Sequence, residues 1–353
     1  MEDIKIYEIA AQVLSGITDE LNANIYAPLE GVLALTWSEV PKFNAYAKSK
    51  SDIDSPPDHV ICIHYELVRQ LYRDVESFCD FYFNHLTKSE WEAFFDGLDD
   101  APPLTEFFTQ EECTYNMFVG ALTFIYFHEL GHLLQQHGYI RQKFGESAET
   151  IINECQMASK STLKGDAASV SHVTELCADF YATTKCLYEL MRHFQDSKEE
   201  LRVVLFIFVC GLSCVFHKFS GSAPYTPTEA PIGTHPNPSI RMEFNLPHIY
   251  ELMDLIAVAS GHSMSRRDLV HLCRRASDSS SLYQMAQKRV DWGYNNYLSI
   301  RGIPNRPEDH SYLKHIVITW DEIGTLLKKR TIGGHEFDFL SFTQEFRDQI
   351  NRN

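Results

Sequence analysis

The residues with the clearest chemical potential are His128, Glu129 and His132, which lie within one short segment. Histidines four positions apart share one face of a helix, so both imidazoles can reach the same metal ion. A glutamate beside the first histidine can point its carboxylate at a water molecule on that ion. Zinc lowers the pKa of such a water to about 7, and the glutamate accepts its proton as attack on a carbonyl begins. The pattern predicts His128 and His132 as zinc ligands and Glu129 as a general base.

A helix that carries two ordinary histidines is the alternative interpretation. The surrounding segment, FIYFHELGHLL, is strongly apolar, so its polar residues lie in a helix with buried flanks and need partners. Gly131 adds a second indication, because a glycine inside a helix costs about 1 kcal/mol relative to alanine and suggests close packing. Both features favour a metal site.

A catalytic zinc ion needs a third protein ligand and an open position. The metzincin pattern would place another histidine where this sequence has Gly138, and His137 is one position early, so that pattern does not fit. Glu175 is the better candidate, because it can donate a carboxylate from a second helix. Asp179 follows one turn later and can accept a hydrogen bond from a ligating histidine, which fixes the tautomer of that histidine. Exposed acidic residues on an amphipathic helix are the alternative, but the surrounding residues are apolar.

A third element lies in a proline-punctuated loop that leads into a helix. His235 could donate a hydrogen bond to a substrate carbonyl as it becomes an oxyanion. Arg241 could pair with a carboxylate and hold this loop against the site. By itself the segment is also typical of an ordinary loop with Ser239 near the helix cap. Together with the two earlier elements, it favours a functional site.

In combination these residues resemble the gluzincin metallopeptidases, and within them the branch of the HtpX-type and CAAX-prenyl-protease-type enzymes. That branch combines HExxH with a later ExxAD and a still later HPxxxxR, which correspond here to His128–His132, Glu175–Asp179 and His235–Arg241. The resemblance covers about residues 113–245. It implies a Zn²⁺ ion and a set of roles at matching positions: ligation by His128, His132 and Glu175, base catalysis by Glu129, transition-state hydrogen bonding by His235, and support of the ligands by Asp179 and Arg241.

Two other groups of relatives share part of this pattern. The membrane-spanning helices of the named branch are not expected here, so the chain is more similar to soluble members and, loosely, to the Lit-type phage-exclusion peptidases that cut a host protein. The ImmA/IrrE-type peptidases also use HELGH and a downstream glutamate. They lack the HPxxxxR element at this place and are therefore the second choice.

Composition limits the class of partner and the compartment. The formal net charge of −17 argues against a broad nucleic-acid-binding surface. The nine cysteines are scattered without a CxxC pair, which favours free thiols in a reducing compartment. The first residues lack a signal-peptide pattern, and the apolar run Val203 to Phe216 is shorter than the roughly 20 residues of a spanning helix. A cytoplasmic chain without an integral membrane segment is expected, and its oligomeric state stays open.

The apolar spacing predicts a mainly α, α+β fold with a small sheet at most, and the resemblance implies a gluzincin-like core. Three regions are expected: a helical N-terminal region over 1–100 that packs on the core, a zinc metallopeptidase core over 101–245, and a helical region over 246–353. The predicted elements are helices over 4–21, 112–138, 171–192, 201–219, 239–260 and 266–297 (with a break at 277–281), a strand or short helix over 59–68, and a strand over 315–320.

The expected function is that of a soluble zinc-dependent endopeptidase that hydrolyses a protein or peptide. Two alternatives stay open: a non-catalytic zinc-containing binding or sensor module, and a zinc hydrolase that acts on a non-peptide amide. A closed four-ligand site would favour the module, whereas an open position that faces a cleft would favour an enzyme.

Overall fold

The computed structural model describes residues 1–85, 107–145, 151–153, 163–194, 197–220, 226–260, 264–288 and 302–352. Within these ranges the chain is mainly helical with one small sheet, which confirms the predicted fold class. The principal helices are α1 (Asp3–Leu21), α2 (Tyr65–Asp80), α3 (Gln110–Leu134), α4 (His137–Gly145), α5 (Gly165–Phe194), α6 (Lys198–Ser220), α7 (Pro238–Ser260), α8 (Arg266–Lys288), α9 (His310–Arg330) and α10 (Gln344–Asn351).

The sheet has four strands in the spatial order β1-β3-β2-β4. The strands are β1 (Val32–Ser38), β2 (Ala45–Ser49), β3 (Asp58–His64) and β4 (Ile151–Asn153). β3 pairs in parallel with β1, with Leu35 opposite Ile61, and in antiparallel fashion with β2, with Ala47 opposite Ile61. β3 is buried from His59 to His64, as expected for a central strand, and it leads directly into α2. The segment 59–68 is therefore part strand and part helix.

Helix α3 carries the HExxH segment and is buried along most of its length. It begins with a capping box, in which Thr109 and Glu112 each satisfy a backbone N–H of the other. It ends at Leu134, so the predicted end at Gly138 is wrong, and Gly138 belongs to α4. The chain turns instead at Gln136, which has a left-handed conformation with φ of 51°. The Leu134 carbonyl accepts a hydrogen bond from the Ile332 N–H at 2.9 Å.

Two hydrophobic clusters form the interior, and α5 contributes to both. α3 and α6 lie in the first cluster, together with parts of α1, α2, α7 and α8. α4, α9 and the C-terminal residues lie in the second. The division of the chain at 100 and 245 stays a prediction, and the expected first boundary lies outside the described residues.

Within the described part of the chain, two helices, α3 and most of α6, are long and apolar enough to cross a membrane. In α3, 89% of the most apolar 18-residue stretch is buried inside the protein, and in α6 the share is 83%. Packing in the interior therefore accounts for the apolar composition of both helices. A soluble protein is compatible with this arrangement.

Every cysteine among the described residues is a buried free thiol.

Two predictions for the C-terminal part are wrong. The segment His315–Trp320 is not a strand but lies inside α9, where the buried residues Ile316, Val317 and Trp320 follow helical spacing. The predicted break at 277–281 is also absent, because α8 continues through it. The Ser279 and Ser281 hydroxyls donate to carbonyls one turn earlier, which satisfies these polar groups without interrupting the helix. Residues beyond Lys288 in the predicted helix lie outside the described chain.

Candidate metal centre

The contact of α3 with α5 brings the predicted ligands together. A Cβ atom at Gly131 would lie 3.2 Å from the Ala178 Cα and 3.3 Å from the Tyr181 Cβ. Glycine at this point, opposite a small alanine, therefore lets the two backbones approach closely. The close approach places Glu175 of α5 beside the histidines of α3, and it explains the glycine inside the HExxH segment.

His128, His132 and Glu175 form a buried cluster that could hold a metal ion. The two Nε2 atoms lie 3.0 Å apart. The Glu175 carboxylate lies 3.4 Å from each of them, through Oε2 toward His128 and Oε1 toward His132. One ligand atom from each residue lies within 4.8 Å of the others, and the three residues are at most 1% exposed.

The protonation states in the cluster suit metal binding. Burial lowers the pKa of His132 well below its usual range, which keeps the imidazole neutral. Burial would raise the pKa of Glu175, but His235, His132, His128 and Arg141 hold it well below its usual range. The centre therefore combines a neutral imidazole with a carboxylate, which are the forms that bind metals.

Asp179 and Arg241 meet at the outer side of His128. The Asp179 carboxylate accepts two hydrogen bonds from Arg241, at 2.8 Å from Nε and 2.6 Å from Nη2. The same carboxylate lies 2.9 Å from His128 Nδ1. Because an ionised carboxylate can only accept, His128 carries its proton on Nδ1 and presents a bare Nε2 to the cluster.

His235 lies against the third member of the cluster. Its Nε2 atom is 3.5 Å from Glu175 Oε2, and its Nδ1 atom is 2.8 Å from the Thr234 hydroxyl. The loop is held in place by Ser171, whose hydroxyl donates to the Thr234 carbonyl at 2.8 Å. Glu129 is fully buried on the same turn of α3 as the ligands. The structure thus brings all seven predicted site residues into one region, while the roles of the individual residues stay predictions.

Two residues in contact with the ligands, and a third residue in contact with one of these two, were not predicted from the sequence. Arg141 of α4 donates to Glu175 Oε1 at 2.6 Å, and it is oriented by a 2.8 Å hydrogen bond to the Thr174 hydroxyl. His137, which had been considered only as a displaced third ligand, lies 2.7 Å from His132 Nδ1 through its own Nδ1. Gln135 contacts His137 in turn. The HExxH motif contains no signal for these contacts, because they depend on the tight turn after Leu134.

The donor set of the cluster fits zinc. Two histidines and one glutamate are a recurrent ligand set of catalytic zinc, whereas structural zinc sites are mostly rich in cysteine. Both His128 Nε2 and the Glu175 carboxylate present lone pairs, and a cation between such atoms removes their mutual repulsion. The ligands that zinc would use are therefore present and correctly oriented.

A pocket of about 430 Å³ borders the cluster on the side of His132. Its wall includes residues of β2 and β3, such as Ser49 and His59, and residues that follow the HExxH segment, such as Gln136 and Tyr139. The volume lies in the range of small-molecule and side-chain pockets. His132 is the cluster residue that lines this pocket.

Comparison with known proteins adds no relative from which a role could be transferred. No protein-family model, curated protein or solved structure shows significant similarity to the chain.

Proposed function

We propose that the chain is a zinc-dependent peptidase of the gluzincin type that cuts a protein or peptide in the cytoplasm. The observation that carries the proposal is the convergence of His128, His132 and Glu175 in a buried cluster, next to a glutamate on the same helical turn. The HExxH, ExxAD and HPxxxxR residues that resemble the gluzincin motifs meet in this one region.

The proposed chemistry assigns one task to each group. A zinc ion held by the three ligands would polarise the scissile carbonyl and acidify a water molecule. Glu129 accepts the proton of that water and passes it to the leaving amine. His235 donates a hydrogen bond to the developing oxyanion. Asp179, fixed by Arg241, keeps His128 in the tautomer that binds the metal.

The pocket next to His132 is the proposed place for part of the substrate. The loop between β2 and β3 contributes Ser51 and Asp52 to its wall, and Asp52 is exposed to solvent. A peptide that enters here would reach the cluster from the side of the second histidine ligand. The same pocket could receive a non-peptide amide.

The replacement of Glu129 by glutamine tests the proposal most directly. It removes the base without removing a ligand, so zinc affinity is expected to be unchanged while hydrolysis falls by about 10²- to 10⁴-fold. The measurement is mass spectrometry of new termini in protein extracts treated with zinc-loaded wild type or variant. Glu111→Gln is the matched control, because Glu111 lies on the same helix but is exposed. Equal cleavage by the wild type and the Glu129 variant would refute the assignment of the base.

A second candidate function is a non-catalytic metal centre in a binding or sensor module. It is favoured by the burial of the ligands and of Glu129, each of which is at most 1% exposed. In this case wild type and Glu129→Gln bind zinc equally, and neither generates new termini. Cleavage by the wild type alone would exclude this candidate.

A further inference from the structure

A chain of hydrogen bonds leads from the ligand His132 to a C-terminal segment far away in sequence. His132 Nδ1 lies 2.7 Å from His137 Nδ1, and His137 Nε2 lies 2.9 Å from the Gln135 side-chain oxygen. The Gln135 amide nitrogen donates to the Asp338 carbonyl at 2.9 Å. Each of these residues is at most 1% exposed, so water does not compete for the contacts.

The backbone carbonyl at the end of the chain of hydrogen bonds determines the direction of all of them. A carbonyl only accepts, so the nitrogen of the Gln135 amide faces Asp338 and its oxygen faces His137. That oxygen also only accepts, so His137 carries its proton on Nε2. A buried, neutral His137 then has a bare Nδ1, which accepts the proton of His132 Nδ1. His132 is left with a bare Nε2, which lies 3.0 Å from the bare Nε2 of His128, so that the two lone pairs are placed to share a cation.

We propose that Gln135 and His137 are positioning residues that fix His132 in its metal-binding tautomer, with the Asp338 main chain as the anchor. The C-terminal strap, defined as residues 332–340, is then part of the metal centre. The inference rests on the metal ligands of the proposed function but does not depend on peptide hydrolysis. The two histidine ligands are thus fixed by different means. His128 is fixed by the charged Asp179 carboxylate, and His132 by a neutral hydrogen-bond relay, defined as the side chains of Gln135 and His137.

The strap is anchored firmly enough to serve this purpose. The Asp338 carboxylate pairs with Lys185 at 3.0 Å and accepts from the His335 N–H at 2.9 Å. The Phe337 carbonyl accepts from the Thr184 hydroxyl at 3.0 Å. These contacts attach the strap to α5, the helix that also carries Glu175. A displacement of the strap would therefore remove the anchor of the relay and loosen the His132 tautomer.

The first measurement is the tautomer of His132, read from the ¹⁵N chemical shifts of the imidazole nitrogens in the full-length protein after metal chelation. The relay predicts a proton on Nδ1 and a bare Nε2 in the wild type. In His137→Leu the acceptor is lost, and a substantial population with the proton on Nε2 is expected. A wild-type His132 that is protonated on Nε2 overturns the inference.

The second measurement is zinc affinity by competition with a chromophoric chelator. His137→Leu and Gln135→Leu are each expected to weaken binding by about 10- to 100-fold. Because both act through one relay, the double variant is expected to lose less than the product of the two single effects. Lys185→Met removes the ion pair that anchors the strap and leaves Gln135 and His137 unchanged. It is expected to weaken zinc binding several-fold, and it replaces the relay variants in this test if they do not fold.

The matched control is His64→Leu, which also removes a buried histidine whose Nδ1 lies in a hydrogen bond, here at 3.2 Å from the Val40 carbonyl. Its zinc affinity is expected to remain that of the wild type. Folded relay variants with wild-type zinc affinity would refute the inference while leaving the peptidase proposal intact. If the relay variants bind zinc more weakly but the wild type cleaves no substrate, only the peptidase proposal is refuted. A wild type that binds no zinc refutes both.

Discussion

The contact between Asp179 and Arg241 lies entirely inside the protein, and both side chains are fully buried. A buried ion pair contributes little net stability, but the removal of one partner leaves an uncompensated charge that costs about 3 to 5 kcal/mol. The pair is therefore better explained by its geometry than by its strength. It fixes the carboxylate that orients His128, and it attaches α7 to α5 at the metal centre.

A buried histidine outside the centre provides a pH test. His248 stacks on Phe180 with ring centroids 4.2 Å apart, and its Nε2 lies 2.8 Å from the Thr184 hydroxyl. Burial lowers the pKa of His248 from 6.5 to about 4. The unfolded state therefore takes up this proton first as the pH falls, so the stabilising contribution is complete above pH 6.5 and is lost between pH 6.5 and 4.

His248→Gln is expected to flatten this pH dependence. Between pH 7 and pH 5, the wild type should lose about 2 kcal/mol more unfolding free energy than the variant, from the linkage of one such group. Urea denaturation at the two pH values measures the difference. Parallel losses in the two proteins would show that His248 does not titrate in this way.

At the residue scale, the sequence was sufficient to find groups whose roles follow from type and spacing. His128, His132 and Glu175 could be identified because metal ligands must be donors on facing elements. Arg141 and Gln135 could not, because their contacts arise from the turn at Gln136 and from a segment that is distant in sequence. His137 could be recognised near the motif, but its position suggested a third ligand displaced by one residue. In the structure it contacts Nδ1 of the ligand His132 instead.

The contact between α3 and α5 sets the geometry of the centre at the element scale. Gly131→Ala should improve intrinsic helix propensity by about 1 kcal/mol. The new methyl group would nevertheless lie 3.2 Å from the Ala178 backbone, so the helices must separate. We expect a net loss of stability of about 1 to 3 kcal/mol, typical of overpacking, together with weaker zinc binding.

Gly16→Ala is the matched control for this prediction. Gly16 lies in the middle of α1, and a Cβ atom there would meet no atom within 4 Å. The same substitution is expected to stabilise the protein by about 0.5 to 1 kcal/mol and to leave zinc affinity unchanged. Denaturant unfolding and zinc competition measure both effects, and a stabilised Gly131→Ala with normal affinity would contradict the close-contact argument.

The elements also show which sequence patterns are ambiguous. The predicted helices over 4–21, 201–219 and 239–260 match observed helices within a few residues. The segment 315–320 is rich in β-branched residues, which favour strands locally. In α9 the longer pattern of buried residues, from Tyr312 to Leu327, has helical spacing and overrides this local preference.

At the scale of the whole molecule, the ligands connect two parts of the interior. His128 and His132 lie on α3, whose apolar side chains belong to the first hydrophobic cluster. Glu175 lies on α5 between Val173 and Leu176, which belong to the second. A metal ion bound by all three residues would therefore stabilise the packing of both clusters against each other.

Removal of the metal should accordingly lower the stability of the entire fold. A ligand at a thousandfold excess over its dissociation constant stabilises the native state by about 4 kcal/mol. When zinc is added to protein from which metal has been removed with a chelator, we therefore expect the melting temperature to rise by several degrees in differential scanning calorimetry. Glu175→Gln should abolish the rise, whereas Glu189→Gln, at a partly exposed glutamate on the same helix, should not. No rise in the wild type would contradict the metal centre.

The hydrogen bond between Gln135 and the Asp338 carbonyl also has a consequence for synthesis. The two residues are separated by 203 positions. At a translation rate of about 5–20 residues per second, about 10 to 40 s pass between their incorporation. The HExxH helix is therefore made long before the last group that orients its second histidine. An incomplete chain that ends before the strap would carry the three ligands without this orientation, and high-affinity metal capture would be delayed until the strap has been synthesised.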